Sequence, residues 1–265
     1  MTDQQIRFDD GAAYERYMGV WSRLVGEQFI EWLAPKPGLY WLDVGCGNGA
    51  FTEMILGRCA PDSVDGIDPS AEQIAYARGR PTRTQARYRV GDAMALPFPN
   101  DTFDVAVMPL VIFFVPDPLM GVSEMARVVR PGGLVTAYGW DLLGGGLPYE
   151  SLQDEMNSMG IVVPKPPSPG ASGLEALRGF WTAAGLESIE MTPITVERSF
   201  ADFEEYWTIV QGSPSAGRTF SAMSTGEVAS LKDRMRQRLP KDPSGRITYG
   251  ARANAIQGRV PSGGR

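Results

Sequence analysis

A strand-like segment that runs directly into alternating glycines constrains the fold of this chain more than any other feature. Residues 39–44 (LYWLDV) have the composition of a short buried strand, and Gly45, Gly47 and Gly49 follow at once. A helix is predicted next, over residues 50–58. Because glycine has no Cβ, such a turn can be tight and a ligand can approach its backbone closely. The segment therefore predicts a ligand-binding strand–turn–helix unit.

Strands and helices continue to alternate along the chain. Asp117 and Pro118 open one predicted helix, as an N-cap residue followed by proline at the first helical position. Such alternation indicates a parallel sheet with right-handed crossovers, so the predicted fold class is α/β: a Rossmann-like, open, mostly parallel sheet with helical cap elements. The further strands are predicted at residues 64–68, 86–90, 103–108, 134–140, 189–196 and 247–257.

Changes in composition divide the chain into five predicted segments. The glycines at 144–146 and the proline-rich residues 163–173 predict loops, and residues 173–184 predict a helix. The segments are an N-terminal helical cap (1–38), an α/β core with the glycine turn (39–141), a loop, helix and sixth strand (142–200), an inserted helical cap (201–243), and a last strand and tail (244–265).

The absence of histidine from all 265 residues excludes several classes of chemistry. No Ser-His-Asp or Cys-His arrangement can be built, and we predict no metal site. Cys46 and Cys59 are too few for a disulfide framework. The net charge of −6 opposes nucleic-acid binding. The N-terminus lacks the apolar core of a signal peptide and no segment is apolar enough to span a bilayer, so we expect a cytoplasmic protein.

An acidic residue lies at the end of each of the first three predicted strands. Asp43 precedes the first glycine, where a carboxylate suits an ammonium group better than a pyrophosphate. Asp68 ends the second strand, where it can accept hydrogen bonds from both ribose hydroxyls of a nucleoside or cap the next helix. Asp92 follows the third strand, where it can accept from the exocyclic amine of adenine or close a turn.

Several motifs thus occur in a fixed order: DVGCGNG (43–49), Asp68, Asp92-Ala93, Phe103-Asp104 and RPGG (130–133). The series resembles class I S-adenosylmethionine-dependent methyltransferases, in particular the bacterial branch that includes quinone-biosynthesis enzymes. The resemblance is strongest from Tyr14 to Trp140. It implies a seven-stranded sheet with a reversed last hairpin, and S-adenosyl-L-methionine as cofactor. The cofactor-binding residues that it implies are Asp43, Gly45, Cys46, Gly47, Gly49, Asp68, Pro69, Asp92, Ala93, Tyr14, Trp21 and Arg23.

The resemblance also implies a role for each position. The glycine turn would line the methionine part of the cofactor, with Asp43 near the amino group. Asp68 would hold the ribose, and Asp92 and Ala93 would contact the adenine. N-terminal helices in this family commonly close over the cofactor, so part of the N-terminal aromatic stripe is predicted to border the site. Helical stripes of this kind also form ordinary core.

The predicted acceptor site is apolar. Many relatives have a histidine after the fourth strand, whereas this chain has the apolar run 111–115 (VIFFV). One of its two phenylalanines is expected in the core and the other in the pocket. Where an acceptor needs a base, Asp141 and Glu150 near the carboxyl edge are candidates, although Asp141 could equally anchor a loop. The predicted pocket residues are Tyr17, Met18, Phe113, Phe114 and Trp140.

The sequence favours a methyltransferase that acts on an oxygen, nitrogen or carbon atom of a small molecule. A non-catalytic S-adenosylmethionine-binding protein is the alternative. A nucleic-acid methyltransferase is opposed by the net acidity, and an NAD-dependent oxidoreductase by the glycine spacing. The basic residues between Lys232 and Lys241 are interpreted as a solvated helix face rather than a docking surface for an anionic partner or a membrane.

Overall fold

Seven strands form one sheet in the computed structural model of the chain, which describes residues 15–81, 85–211 and 219–263. The strands are β1 (Tyr40–Val44), β2 (Ser63–Asp68), β3 (Ala86–Val90), β4 (Phe103–Pro109), β5 (Val129–Trp140), β6 (Glu187–Phe200) and β7 (Ile247–Arg259). Their order is β3-β2-β1-β4-β5-β7-β6; β1 to β5 are parallel, and β7 is antiparallel to β5 and β6. The predicted open sheet with a reversed last hairpin is confirmed.

Eight α-helices lie wholly within the described part of the chain and surround the sheet, and several of them have a side-chain cap at the N-terminus. They are α1 (Val20–Leu33), α2 (Ala50–Arg58), α3 (Ala71–Gly79), α4 (Pro118–Val128), α5 (Glu150–Ser158), α6 (Leu174–Ala183), α7 (Phe203–Gln211) and α8 (Thr225–Arg238). Ser70 caps α3 and Asp117 caps α4, each through a side-chain oxygen that accepts an N–H of the first turn. Ser224 and Glu227 form a reciprocal capping box on α8.

The parallel strands place their carboxyl ends at one edge of the sheet. Trp41 of β1 lies opposite Val64 of β2 and Val105 of β4, so the three strands end together. β4 is buried from Val105 to Pro109, as expected of a central strand that helices cover on both faces. The turns that follow β1, β2 and β4 therefore meet at this edge.

Helix α5 was not predicted, because its sequence is mostly polar. Only Leu152 and Met156 of this helix are buried. Ion pairs supply further contacts: Arg238 of α8 lies 2.7 Å from a carboxylate oxygen of Asp154 and 3.0 Å from one of Glu155. The helix is therefore specified by its partner α8, whose position no local pattern reveals.

The basic residues of α8 are engaged by neighbouring helices. Lys232 and Arg236 both contact Glu204 of α7, at 2.7 and 2.6 Å. Arg234 lies 3.5 Å from Glu155 of α5. These cations thus tie α8 to α5 and α7 at the surface, which agrees with the solvated helix face and gives no open docking surface. In the part of the chain that is described, no helix has the length and apolar character needed to cross a bilayer.

Candidate functional site

A cleft of about 1680 Å³ opens at the edge where the parallel strands end. Its walls come from the start of α1, the turns after β1, β2 and β4, the adjoining parts of α2 and α3, and the segment that precedes α6. Open α/β sheets bind their ligands at this edge. The predicted site residues that line the cleft are Arg23, Gly45, Cys46, Gly47, Asp68, Pro69 and Phe114.

Gly47 faces this cleft with a backbone that favours glycine. Its φ is +52°, and a Cβ added there would meet no atom within 4 Å. Gly45, with φ +74°, is constrained differently, because an added Cβ would lie 2.5 Å from a methyl carbon of Val111. The segment after β4 therefore packs directly against the glycine turn. Gly49 has φ +84° and approaches Tyr88 instead of the cleft.

Asp68 joins the end of β2 to the glycine turn. Its Oδ2 accepts a hydrogen bond from the Gly47 N–H at 2.9 Å, and its Oδ1 accepts one from the Ser70 N–H at 2.9 Å. The carboxylate therefore organises the chain before α3 and also lines the cleft. Burial raises the pKa of Asp68, and the two backbone hydrogen bonds oppose that rise.

Asp43 is fully buried and does not line the cleft. Its Oδ2 accepts a hydrogen bond from the Thr52 hydroxyl at 2.6 Å, whereas Oδ1 has no hydrogen-bond partner among the described residues. Burial raises the pKa of Asp43 to about 7; the Thr52 hydrogen bond opposes this rise and the charge of Asp68 adds to it. A buried carboxylate of this kind is stabilised as the anion by a nearby cation.

Asp92 and Ala93 lie next to the cleft and do not line it. The Gly91 N–H donates to the backbone carbonyl of Asp68 at 3.1 Å, which places their turn beside that residue. Asp92 is exposed, and its Oδ1 accepts from the Met94 N–H at 2.8 Å. The adenine contact remains a prediction.

The aromatic residues at the start of the described chain pack against other aromatic rings. Trp21 is fully buried and its Nε1 donates to the Tyr149 hydroxyl at 3.2 Å. Tyr17 stacks on the Tyr149 ring, with 4.0 Å between centroids. These contacts favour the core interpretation for this stripe. The predicted residues that do not line the cleft are Tyr17, Met18 and Trp21, and Tyr14 lies outside the described residues.

The apolar run after β4 forms a single 3₁₀ turn, Ile112–Phe114. Phe113 is buried, whereas Phe114 is half-buried and lines the cleft. Their ring centroids are 4.8 Å apart. Trp140 is buried at the end of β5 and does not line the cleft. One of the two phenylalanines is thus placed to meet a ligand.

Asp141 and Glu150, the candidate bases, also lie outside the cleft lining. A carboxylate oxygen of Asp141 lies 2.7 Å from the Arg252 guanidinium, and its Oδ1 accepts a hydrogen bond from the Gly144 N–H at 3.0 Å. It therefore holds the loop after β5 against β7, as the alternative interpretation proposed. Burial and the charge of Asp154 raise the pKa of Glu150.

Sequence reasoning missed many of the lining residues, and three of them are informative. Leu110 follows β4 with φ +60°, a strained conformation for a residue with a side chain, and its N–H donates to the Tyr138 carbonyl at 2.7 Å. No sequence signal marks this conformation. Tyr138 lines the cleft from within β5, among rings that also pack as core. Lys165 has a recognisable sequence context, because it is the one charged residue in a segment that contains four prolines.

Comparison with known proteins agrees with this geometry. Residues 42–137 match the family described as Methyltransferase domain. The chain is 40% identical over 98 residues to 2-methyl-6-phytyl-1,4-hydroquinone methyltransferase 2, chloroplastic, of Oryza sativa subsp. japonica, a match that covers 37% of this chain and 28% of that protein. It is 34% identical over 113 residues to a demethylmenaquinone methyltransferase of Desulfitobacterium hafniense, with 41% and 45% covered. The chain thus matches less than half the length of either relative.

The fold has a close counterpart among solved structures. The YcgJ protein of Bacillus subtilis superposes with a TM-score of 0.61 at 16% identity, over 90% of this chain and 99% of that one. A likeness at this identity shows the fold. Together these findings confirm the predicted fold class, and they confirm the resemblance to class I methyltransferases for residues 42–137. Domains of this class use S-adenosyl-L-methionine as cofactor.

Proposed function

We propose that this protein is an S-adenosylmethionine-dependent methyltransferase that acts on an oxygen, nitrogen or carbon atom of a small molecule. One observation carries the proposal: the Gly47 backbone opens onto the cleft beside Asp68, within the region that matches the methyltransferase domain. The hydroquinone and menaquinone activities in the names of its relatives support a small-molecule acceptor. The net charge of −6 argues against a nucleic acid. A cytoplasmic location and the five-segment division remain predictions.

The cleft residues fit the cofactor chemically. When bound, S-adenosyl-L-methionine supplies an electrophilic methyl group on a sulfonium. Asp68 offers a carboxylate for ribose hydroxyls, and Gly47 leaves its side of the cleft free of side-chain atoms. The unpaired Oδ1 of Asp43 suits a cation near the glycine turn. Arg23 brings a positive charge to the same cleft for the cofactor's carboxylate.

The wall of the cleft formed by the turn after β4 and residues 165–167 is apolar apart from Lys165. Val111, Phe114, Pro166 and Pro167 all line it. Such a wall excludes water and can hold an apolar acceptor in line with the transferred methyl group. Alignment and the exclusion of water both accelerate a reaction of this class. Transfer to an acceptor that is already nucleophilic needs no strong base. The cleft therefore promotes the transfer mainly by aligning the acceptor with the methyl group.

The proposal is tested in two stages. Calorimetric titration is expected to show binding of S-adenosylhomocysteine and none of NAD at the same concentrations. Absence of S-adenosylhomocysteine binding would refute the proposal. Turnover is then measured with radiolabelled S-adenosylmethionine and a set of hydroquinones, phenols and amines. Binding without transfer to any acceptor would favour the non-catalytic alternative.

A further inference from the structure

A proline-rich strap forms one rim of the cleft. We define the strap as residues 164–169 (PKPPSP), which have no regular secondary structure and in which four of six residues are proline. Proline fixes its own φ and restricts the residue before it to extended conformations, so the strap is stiff. Lys165, Pro166 and Pro167 all line the cleft. The strap therefore presents one lysine at a defined position.

Hydrogen bonds attach the strap to the apolar turn after β4. The Ser168 N–H donates to the Phe113 carbonyl at 3.0 Å, and the Ser168 hydroxyl donates to the Val115 carbonyl at 2.9 Å. Because Phe114 lies between these two acceptors and lines the cleft, the strap and the turn form one continuous wall. Lys165 is thus held at the end of an apolar surface.

A second anchor holds the chain beyond the strap. The buried hydroxyl of Ser172 donates to the Trp140 carbonyl at 2.6 Å, and the Asn254 amide donates to the Ser172 carbonyl at 2.9 Å. The region is a loop, as predicted, and hydrogen bonds attach it to the turn after β4, to the end of β5 and to β7. The rim position of Lys165 is therefore part of the folded sheet edge.

Charge is distributed unevenly around the cleft. Within the wall made by lining residues of 109–116 and 165–167, Lys165 is the one charged side chain, and no carboxylate of the described residues pairs with it. The wall formed by α2, β2 and α3 carries charges of both signs: the carboxylates are Glu53, Asp68 and Glu72, and the cations are Arg58 and Arg80. Arg58 pairs with Glu27 and Arg80 with Glu53. The chain as a whole carries −6, so an anionic ligand depends on a local cation.

Given the proposed function, we infer that Lys165 selects acceptors that carry a carboxylate or phosphate group on an apolar body. The apolar body packs against Val111 and Phe114, and the ammonium of Lys165 pairs with the anionic group. Lys165 acts on specificity by binding the acceptor at a distance from the reacting atom. The role differs from that of Arg23, which lies on α1 and serves the cofactor in the proposal above.

The test compares anionic probes with neutral analogues by calorimetry at saturating S-adenosylhomocysteine. The pairs are 3,4-dihydroxybenzoate with 3,4-dihydroxybenzamide, octanoate with octanamide, and phenyl phosphate with phenol. We expect at least one anionic probe to bind roughly two- to fivefold more tightly than its neutral partner, because one exposed charge pair contributes a free energy of this size. Lys165→Met abolishes this preference and Lys165→Arg keeps it. The carboxylate and phosphate pairs distinguish the two kinds of anion.

The chain offers a closely matched control. Lys36 is also exposed and flanked by prolines, but it precedes β1 at the opposite edge of the sheet. Lys36→Met is expected to keep the anionic preference. The inference is overturned if no anionic probe exceeds its neutral partner, or if the preference survives in Lys165→Met. S-adenosylhomocysteine binding is measured in every variant as well. If it is normal, a negative result refutes the role of Lys165 and does not refute the proposed function.

Discussion

The carboxylate of Asp68 and the backbone of Gly47 are joined by a hydrogen bond of 2.9 Å between Oδ2 and the N–H. The bond links the end of β2 to the turn after β1 and so fixes two walls of the cleft relative to each other. Each carboxylate oxygen can accept more than one hydrogen bond, so Asp68 retains capacity for ligand hydroxyls. One residue thus shapes the cleft and is available to bind within it.

Replacement of Asp68 by alanine is expected to weaken cofactor binding. Hydrogen bonds to a charged group contribute about 1.5–3 kcal/mol, so the Kd for S-adenosylhomocysteine should rise roughly ten- to a hundredfold. Calorimetric titration measures the change, with circular dichroism to verify the fold. Asp62→Ala serves as the comparison and is expected to keep the affinity, because Asp62 is exposed and precedes β2 at the opposite edge of the sheet. Unchanged affinity in folded Asp68→Ala would remove Asp68 from the site.

The substitutions Gly47→Val and Gly45→Val are expected to affect different properties of the protein, the first cofactor binding and the second stability. Gly47→Val fills open space in the cleft, so it should abolish S-adenosylhomocysteine binding at a stability cost of about 1–2 kcal/mol for the positive φ. Gly45→Val collides with Val111 and should destabilise the fold more strongly. Thermal unfolding and titration of both variants separate the two effects. Normal binding by Gly47→Val would make the turn purely structural.

The alternating pattern of the sequence was sufficient to predict all seven strands and their class of sheet. The apolar runs 103–108 and 134–140 lie within β4 and β5. β5 begins five residues earlier than predicted, at Val129, because Val129 pairs with Phe103 before the register shifts. The order of Asp68 and the glycine turn along the chain then places both at one sheet edge. Local periodicity and topology rules therefore account for the open parallel sheet and for the edge that carries the glycine turn, whereas the reversed last hairpin was expected from the family resemblance.

Other features depend on contacts between distant parts of the chain. Trp21 has the spacing of a helix face, but its burial is set by Tyr149, which lies 128 residues away. The positive φ of Leu110 follows from packing at the end of β4 and has no signature in its residue type. Lys165 reaches the cleft because Ser168 bonds to the turn at Phe113. Sequence patterns do not contain such tertiary information.

The ionisation of Asp43 predicts a distinct pH dependence of stability. Burial raises its pKa to about 7 from 3.8, so the folded chain binds a proton more tightly than the unfolded chain. The neutral carboxyl of Asp43 therefore makes its full contribution to stability below about pH 4, and this contribution is lost as the pH rises through 7. Asp43→Asn removes this loss. Between these pH values, the free energy of unfolding of the variant should therefore rise relative to that of the wild type, by at most about 1.4 kcal/mol per pH unit.

Denaturant unfolding of both proteins at a series of pH values measures this difference. Asp65→Asn is a contrasting variant, because Asp65 is also buried but forms ion pairs with Arg87 and Arg89. Asp65→Asn should be less stable than the wild type at neutral pH, because it loses both ion pairs. A constant difference between Asp43→Asn and the wild type would contradict the prediction.

Because the chain has no histidine, an ionisation that controls turnover near neutral pH belongs to a perturbed carboxylate such as Asp43, to a thiol, to the N-terminal amine or to the acceptor itself. Burial raises the pKa of Cys46 well above its ordinary value and that of Cys59 to about 11, so both thiols are protonated near pH 7. We expect Cys46→Ala and Cys59→Ala to keep most activity, and the apparent pKa of turnover to follow the acidity of the acceptor. Rates at saturating cofactor with phenols of different pKa test this. A single fixed pKa for all acceptors would instead indicate an ionising group of the enzyme, and Asp43→Asn would then show whether that buried carboxylate is responsible.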